Sequence, residues 1–357
     1  MRLPVLLVVL SVTVALGYQK IDNDLPINHF QFIGSHNSYK EYIDPKLVKL
    51  IEKMDTSRSL KSLEYHHVGL SEQLNLGLRA LEIDIAADEK GGKYARPKGL
   101  DWAGKTPTRP YDTEGVMNEA GFKVLHVQDI DFRSNCLTLK KCLTELKEWS
   151  NAHPTHEPIF ITMNAKDDTI KRAEFTIPEK FTAAVYDQLD NALVEHLGST
   201  KLITPDAIRG QFTTLEEAVL KNGWLKSSEA KGKFIFVLDE GAAKTADYVK
   251  NHPALKGRIM FTNSAVGTPE AAILIMNDAI NDGEKIKEYV KKGYFVRTRA
   301  DADTREARTN DYSRFKAAQA SGAQIISTDY YFKSTLFPSD YIVHFEGKTY
   351  FRKNPLF

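Results

Sequence analysis

Short apolar runs that stop abruptly at polar residues, separated by amphipathic stretches, recur along the whole chain. The runs are FQFIGS (30–35), ALEIDIA (80–86), FKVLH (122–126), PIFITMN (158–164), FIFVLD (234–239), IMFTN (259–263), FVRTR (295–299) and QIISTD (324–329). Runs this short, rich in β-branched and aromatic residues, read as buried strands. Between them, LTLKKCLTELKEWSNAH (137–153), FTAAVYDQLDNALVEHL (181–197) and RTNDYSRFKAAQASG (308–322) repeat with a period near 3.6, and Gly322 is placed to cap the last. Eight such units in one run predict an α/β fold, a (β/α)8 TIM barrel forming a single domain over residues 18–357. A doubly wound sheet with extra strands is the alternative. Residues 87–121 break the rhythm: they are rich in Gly and Pro and carry Tyr94, Trp102 and Tyr111. They read as an insertion after strand 2, looping over the barrel mouth. Its aromatic residues either dip into a bilayer or pack on the rim.

The first 17 residues, MRLPVLLVVLSVTVALG, have the form of a secretory signal peptide: an early Arg2, an apolar run and a small-x-small ending at Ala15-Leu16-Gly17. The run is about 13 residues, short of the ~20 that a membrane span needs. No later stretch is long and apolar enough to span, so an exported, soluble product, a monomer, is expected. Arg2 is the only charge in the leader, and its removal leaves 47 bases against 47 acids. That balance excludes a basic footprint for nucleic acid and any bulk attraction to an anionic membrane. Cys136 and Cys142 are the only cysteines. In an exported chain they are expected to close a small disulfide loop, two free thiols being the alternative.

Polar residues collect where the strands end, which in a barrel is where chemistry sits. The first strand runs into Gly34-Ser35-His36-Asn37-Ser38-Tyr39. The second carries Glu82 and Asp84, two apart and so on one face. Two carboxylates on one face repel unless a cation lies between them, and a hard cation such as calcium takes carboxylate and amide oxygens, so Asn37 can join them. The third run ends in His126. Two histidines and a cation suit phosphodiester cleavage: one imidazole takes a proton from the attacking hydroxyl, the other gives one to the leaving oxygen, and the cation balances charge building on phosphorus.

GSHNSYK (34–40), LSEQLNLGLRALEIDI (70–85), VLHVQDIDFRS (124–134), RTRADADTREAR (297–308) and GAQIISTDYY (322–331) resemble the secreted, calcium-dependent phosphatidylinositol-specific phospholipases C. The resemblance runs from about residue 26 to the C-terminus. It implies that His36 and His126 are the catalytic pair and that Asn37, Glu82 and Asp84 hold calcium. The implied reaction releases diacylglycerol from an inositol phospholipid at a membrane surface, through attack of the inositol 2-hydroxyl and an inositol cyclic phosphate. His36 is assigned to the attack side and His126 to the leaving oxygen, an assignment that can be exchanged. Eukaryotic relatives end the fourth strand in a ligating glutamate; the matching position here is Asn164, one negative charge poorer, with Asp167 or Asp168 as compensating candidates or as solvated loop residues. Lys166 and Arg299 are candidates to bind phosphate or inositol oxygens. Arg297 shares the face of Arg299. Ion pairing of these arginines with Asp301, Asp303 or Asp329 is the competing reading.

Other signals lead elsewhere. His153-Pro-Thr-His156-Glu157 lacks the spacing of a zinc site, Pro154 breaks any helix there, and His66-His67 have no carboxylate framework. Asp301-x-Asp303 lacks the glycine of an EF-hand loop, and neither a nucleotide-type glycine loop nor a Gly-x-Ser-x-Gly elbow is present. Two other functions stay in play: a glycerophosphodiester or sphingolipid phosphodiesterase on the same barrel, and a catalytically degenerate barrel that binds lipid head groups. His36 is followed by Asn-Ser and not by the Arg-Gly typical of glycerophosphodiesterases.

Overall fold

The computed structural model describes residues 25–54, 60–104, 109–171, 174–221 and 223–357. The expected leader, and the boundary that would follow it, lie outside these residues. Among the described residues there are ten strands: β1 (Phe30–Ser35), β2 (Ala80–Asp88), β3 (Gly121–Val124), β4 (Ile159–Ala165), β5 (Phe234–Leu238), β6 (Phe261–Thr262), β7 (Ile273–Ile275), β8 (Phe295–Arg299), β9 (Ile325–Thr328) and β10 (Phe351–Lys353). Eight of them run parallel in the order β6-β5-β4-β2-β1-β9-β8-β7. The cylinder is nearly closed: the backbone pairing at the β6–β7 seam is the single bridge Asn263↔Ile273, beside which the Ile275 N–H donates to Asn263 Oδ1. This is the expected TIM barrel.

The strand count agrees with the sequence reading, but one member differs. FKVLH does not enter the barrel. As β3 it pairs antiparallel with the upper half of β2, from Ile85↔Val124 to Asp88↔Gly121. The insertion therefore leaves the top of β2, forms a short helix at Lys98–Trp102, and returns down β3. Apolar content marks a strand without giving its direction. The missing barrel strand is β7, whose three residues are too few to show a period. The helix expected over 308–322 is also split. Asn310 adopts a left-handed conformation (φ 53°) that ends one helix at Thr309, and the Asp311 carboxylate accepts from the Ser313 N–H at 2.8 Å to start the next. Gly322 closes that second helix as expected, at φ 76°.

Every residue of β1 and β2 is buried, since helices cover the outside and side chains fill the inside. Inward residues alternate. Phe32, Phe160 and Phe295, from β1, β4 and β8, stack with ring centroids 4.5–6.4 Å apart and form an aromatic floor. The same parity then carries Gly34, Glu82 and Arg297, and above them Asp84, Asn164 and Arg299, toward the carboxyl ends. Gly34 is where β1 and β2 press closest: a Cβ there would lie 2.3 Å from the Ala80 carbonyl oxygen. Below that point β10 pairs with β1 and fills the gap beneath β2.

The aromatic residues of the insertion pack downward. Tyr94 is buried, Trp102 lies 5.5 Å from Phe175, and Tyr111 meets Phe132 edge-on at 5.2 Å. All three rings thus make contacts within the protein. Cys136 and Cys142 form the expected disulfide, at the base of the helix Leu139–Ala152.

Candidate active site

The site begins where β1 ends. The Ser35 and Ser38 hydroxyls and the Gln73 side chain form a buried hydrogen-bonded group, and Ser38 bonds both ways to the Glu82 backbone. This fixes His36 and Asn37 against β2. Asn37 sits at φ 49°, in the left-handed region that Asn tolerates, and its Nδ2 donates to the Tyr65 hydroxyl at 2.7 Å. Its Oδ1 remains as the free acceptor.

His36 Nδ1 lies 2.8 Å from Asp329 Oδ1, and Asp329 also accepts from Arg299 at 3.2 Å. An ionised carboxylate only accepts, so Nδ1 carries the imidazole proton and Nε2 is the free base. Burial and the neighbouring Arg299 guanidinium push His36 down to about 3, against the opposing pull of Asp329. Burial alone would raise Asp329, but the His36 N–H and Arg299 outweigh it and hold the carboxyl at about 2. The imidazole is thus neutral beside an ionised partner. The competing reading of Arg299, an ion pair with Asp329, is present, and the same guanidinium also lies 3.4 Å from His36 Nε2, at the edge of the site.

His126 reaches the mouth from the opposite direction. It does not stand at the carboxyl end of a barrel strand, as the sequence pattern suggests; it follows the descending arm β3. A tight turn, with His126 and Val127 N–H groups both donating to the Asp131 carbonyl, brings the Asp131 carboxylate 2.7 Å from His126 Nδ1. Asp131 is itself fully buried and paired with Lys40 at 3.5 Å. Lys40 lies over the Tyr65 ring (4.5 Å), and that ring stands 5.8 Å from the His36 ring. Tyr65 therefore joins the two histidine loops. Sequence reading missed Tyr65, Lys40 and Asp131, because neither period nor spacing links them to a histidine.

Glu82 and Asp84 face the same interior, each with one oxygen already engaged. Arg297, pinned by Asn277 at 2.7 Å and Ser327 at 3.2 Å, donates to Glu82 Oε2. Lys166 lies 3.2 Å from Asp84 Oδ2. The other oxygens differ. Glu82 Oε1 is 3.6 Å from the neutral His36 Nε2, while Asp84 Oδ1 and the Tyr39 hydroxyl are both buried without a hydrogen bond of normal geometry, the Tyr39 phenol lying beside the Asp84 carboxylate. Burial raises Glu82 to about 7, Arg297 opposing and the Asp84 and Asp239 carboxylates adding to the rise. Asn164, in register with Asp84, donates through Nδ2 to the Asp239 carbonyl at 2.7 Å, which leaves Oδ1 as its acceptor. Asp239, at the end of β5, was not singled out by sequence. Asp167, one of the two compensating candidates, is held by Lys244 at 2.8 Å and by the Phe181 N–H. Asp168 is exposed.

An unpartnered buried carboxylate oxygen, a second carboxylate oxygen and two amide oxygens make a donor set of the kind a hard divalent cation takes. Asn37, Glu82, Asp84 and Asn164 fit such an ion in chemistry. Among the described residues no cluster of three or more His, Cys, Asp or Glu has metal-holding geometry, so the set depends on its two amides.

The discounted residues are structural in these surroundings. His156 bonds Ser150 and the Glu157 carbonyl, His153 stacks on Trp149, and His66 bonds Thr335. His67 buttresses the site, with Nε2 2.7 Å from the His36 carbonyl oxygen. Asp301 accepts from the Asp329 N–H at 2.9 Å and from Thr328, and so supports Asp329.

Residues 25–355 match the family model described as phosphoinositide phospholipase C, Ca2+-dependent. Among solved structures, the chain resembles the calcium-dependent phosphoinositol-specific phospholipase C of a Gram-negative Pseudomonas species, with a TM-score of 0.56, 16% identity, and coverage of 92% of this chain and 96% of that one. It also resembles the Ca2+-dependent phosphatidylinositol-specific phospholipase C of Streptomyces antibioticus, with a TM-score of 0.54, 16% identity and coverage of 86% and 95%. At these identities the likeness is one of fold. No curated protein sequence matches the chain.

Proposed function

The chain belongs to the Ca2+-dependent phosphoinositide phospholipase C family, and from that premise we propose that it is an exported enzyme that cleaves inositol phospholipids to diacylglycerol and an inositol cyclic phosphate. One observation carries this reading: each histidine is bonded at Nδ1 to a buried carboxylate, His36 to Asp329 at 2.8 Å and His126 to Asp131 at 2.7 Å. This makes Nε2 the proton-transfer atom of each ring, one for each side of a phosphodiester; at His36 the Arg299 guanidinium lies 3.4 Å from that atom and gives way to the substrate hydroxyl. The signal-like leader and the absence, among the described residues, of any helix able to cross a membrane support export.

His36, neutral, takes the proton of the inositol 2-hydroxyl as that oxygen bonds to phosphorus. His126, protonated, gives its Nε2 proton to the glycerol oxygen as the P–O bond to diacylglycerol breaks. Asp329 and Asp131 hold the two rings in the required tautomer and stabilise each imidazolium in turn. Arg299, beside His36, faces the charge that develops on the phosphate oxygens. A divalent cation held by Asn37, Glu82, Asp84 and Asn164 supplies Lewis acidity for the attacking hydroxyl and the phosphate. An approaching phosphate anion raises the basicity of His36, which burial and the Arg299 guanidinium hold low.

The test incubates the protein lacking residues 1–17 with phosphatidylinositol, phosphatidylcholine or glycerophosphoinositol, with calcium or with a chelator, and follows products by phosphorus NMR. A cyclic phosphate formed only from the inositol lipid, and only with calcium, is the expected result. Cleavage of choline lipid or glycerophosphoinositol without a cyclic product, or no turnover with any of the three, overturns it.

A further inference from the structure

Glu82 and Asp84 are each paired with a basic residue of the chain, but the two cations are held in different ways. Arg297 is almost fully buried and tied by Asn277 and Ser327 as well as by Glu82. Its guanidinium is a fixed part of the wall. Lys166 has about a third of its side chain exposed, and Asp84 is the one carboxylate within ion-pair distance of its Nζ among the described residues. An ammonium on a flexible four-carbon stem with one partner can leave at little cost. Asp84, by contrast, is buried and cannot exchange its partner for water; its second oxygen has none.

Lys166 also stands two residues beyond Asn164, so strand parity aims it into the same mouth, above the acidic residues and toward the entry. It therefore has access to both the carboxylate below and an anion arriving from above.

Building on the reading of the site as a cation-assisted phosphodiesterase, we propose that Lys166 is a displaceable counter-ion. It neutralises Asp84 while the acidic pole holds no metal, and it is released toward the substrate phosphate when a divalent cation takes Asp84. Cation and lysine compete for one carboxylate, and loss of that contest hands the lysine to the phosphate. Cation binding and phosphate binding are then coupled through one side chain, and the coupling is reciprocal.

Titration calorimetry of the protein lacking residues 1–17 with calcium chloride tests this without turnover, using the wild type, Lys166→Met and Asp84→Asn. The lysine is partly exposed and the methionine keeps its apolar stem, so circular dichroism should show the same fold. Lys166→Met should bind calcium about tenfold more tightly, because a competing ion pair is gone; Asp84→Asn should bind it more weakly. With myo-inositol 1-phosphate as second ligand, calcium should tighten its binding to the wild type, and that tightening should fall at least several-fold in Lys166→Met. Unchanged or weaker calcium affinity in Lys166→Met overturns the proposal while leaving the cation site standing. No calcium binding by the wild type overturns the cation site itself and the proposal with it.

Discussion

Lys40 and Asp131 form an ion pair sealed from solvent: both side chains are fully buried, Nζ and Oδ1 are 3.5 Å apart, and the other oxygen of Asp131 holds His126 Nδ1 at 2.7 Å. The ammonium also donates to the carbonyls of Leu63 and Tyr65. Since Lys40 follows His36 by four residues, it ties the base loop to the acid loop. Burial depresses Lys40 against the opposing pull of Asp131, while Asp131, which burial alone would raise, is kept low by Lys40 and His126.

Asp131→Asn is expected to lower kcat by about 10²-fold with KM nearly unchanged, because the amide can pair with the wrong imidazole tautomer. Nitrogen-15 NMR of the His126 ring should show the proton shifting away from Nδ1. A variant with the wild-type tautomer and wild-type kcat would leave Asp131 with a merely structural part.

Asp329 plays the corresponding role for His36, and here the change is more severe, since Arg299 loses its carboxylate in the same step. Asp329→Asn should cost on the order of 10³-fold in kcat. His36→Ala and His126→Ala should each lose at least ~10²-fold. Initial rates with phosphatidylinositol measure all three, and near-normal activity in either histidine variant would remove the two-histidine mechanism.

Asn164→Glu is expected to tighten calcium binding, by adding the charge that this chain lacks at the fourth strand. It should also lower thermal stability without calcium. Glutamate cannot donate to the Asp239 carbonyl, as Asn164 does at 2.7 Å, and it places a charge near buried carboxylates. Calorimetry and thermal melts with and without calcium measure the two effects, and calcium affinity equal to wild type would show that position 164 does not ligate.

His156 gives a pH dependence far from the chemistry. Burial, helped by nearby Arg79, pushes it down to about 4, although its bond to the Glu157 carbonyl favours the charged form. As pH falls below about 6.5 the unfolded chain takes up this proton first, so stability is full above that value and is lost progressively down to about pH 4. The loss attributable to His156 is at most about 3 kcal/mol. Urea unfolding of His156→Gln between pH 7 and pH 4 should show a shallower decline than the wild type; identical slopes would contradict the assignment.

How much was legible in the sequence follows from what each signal encodes. Glu82, Asp84, Asn164 and Arg299 lie on long strands, where a period of two fixes which residues share a face, and the interior brings them together. His36 is singled out by its place after an apolar run. His126 is singled out in the same way, although the run before it is the antiparallel β3, which has the same composition as a parallel barrel strand. Asp131, Lys40 and Tyr65 were not found at all. Their roles rest on loop closures, such as the Asp131 carbonyl accepting two N–H groups, that no local pattern announces. β7 escaped notice because a strand of three residues has no period to read.

The poorly joined edge between β6 and β7 has an implication for how the chain might be rearranged. Their backbone pairing is one bridge, Asn263↔Ile273, helped by the Ile275 N–H donating to Asn263 Oδ1 at 3.1 Å, while the other neighbouring strands keep their pairing regardless of it. At the far side of the molecule, Phe357 stacks on His29 with ring centroids 3.9 Å apart, just before β1 begins. A short linker there and new ends within 264–272 would give a circular permutant in which β7 leads and β6 closes the order. Its sheet would keep every extended ladder of hydrogen bonds, with both histidines and the four oxygen donors still inside one unbroken stretch of chain.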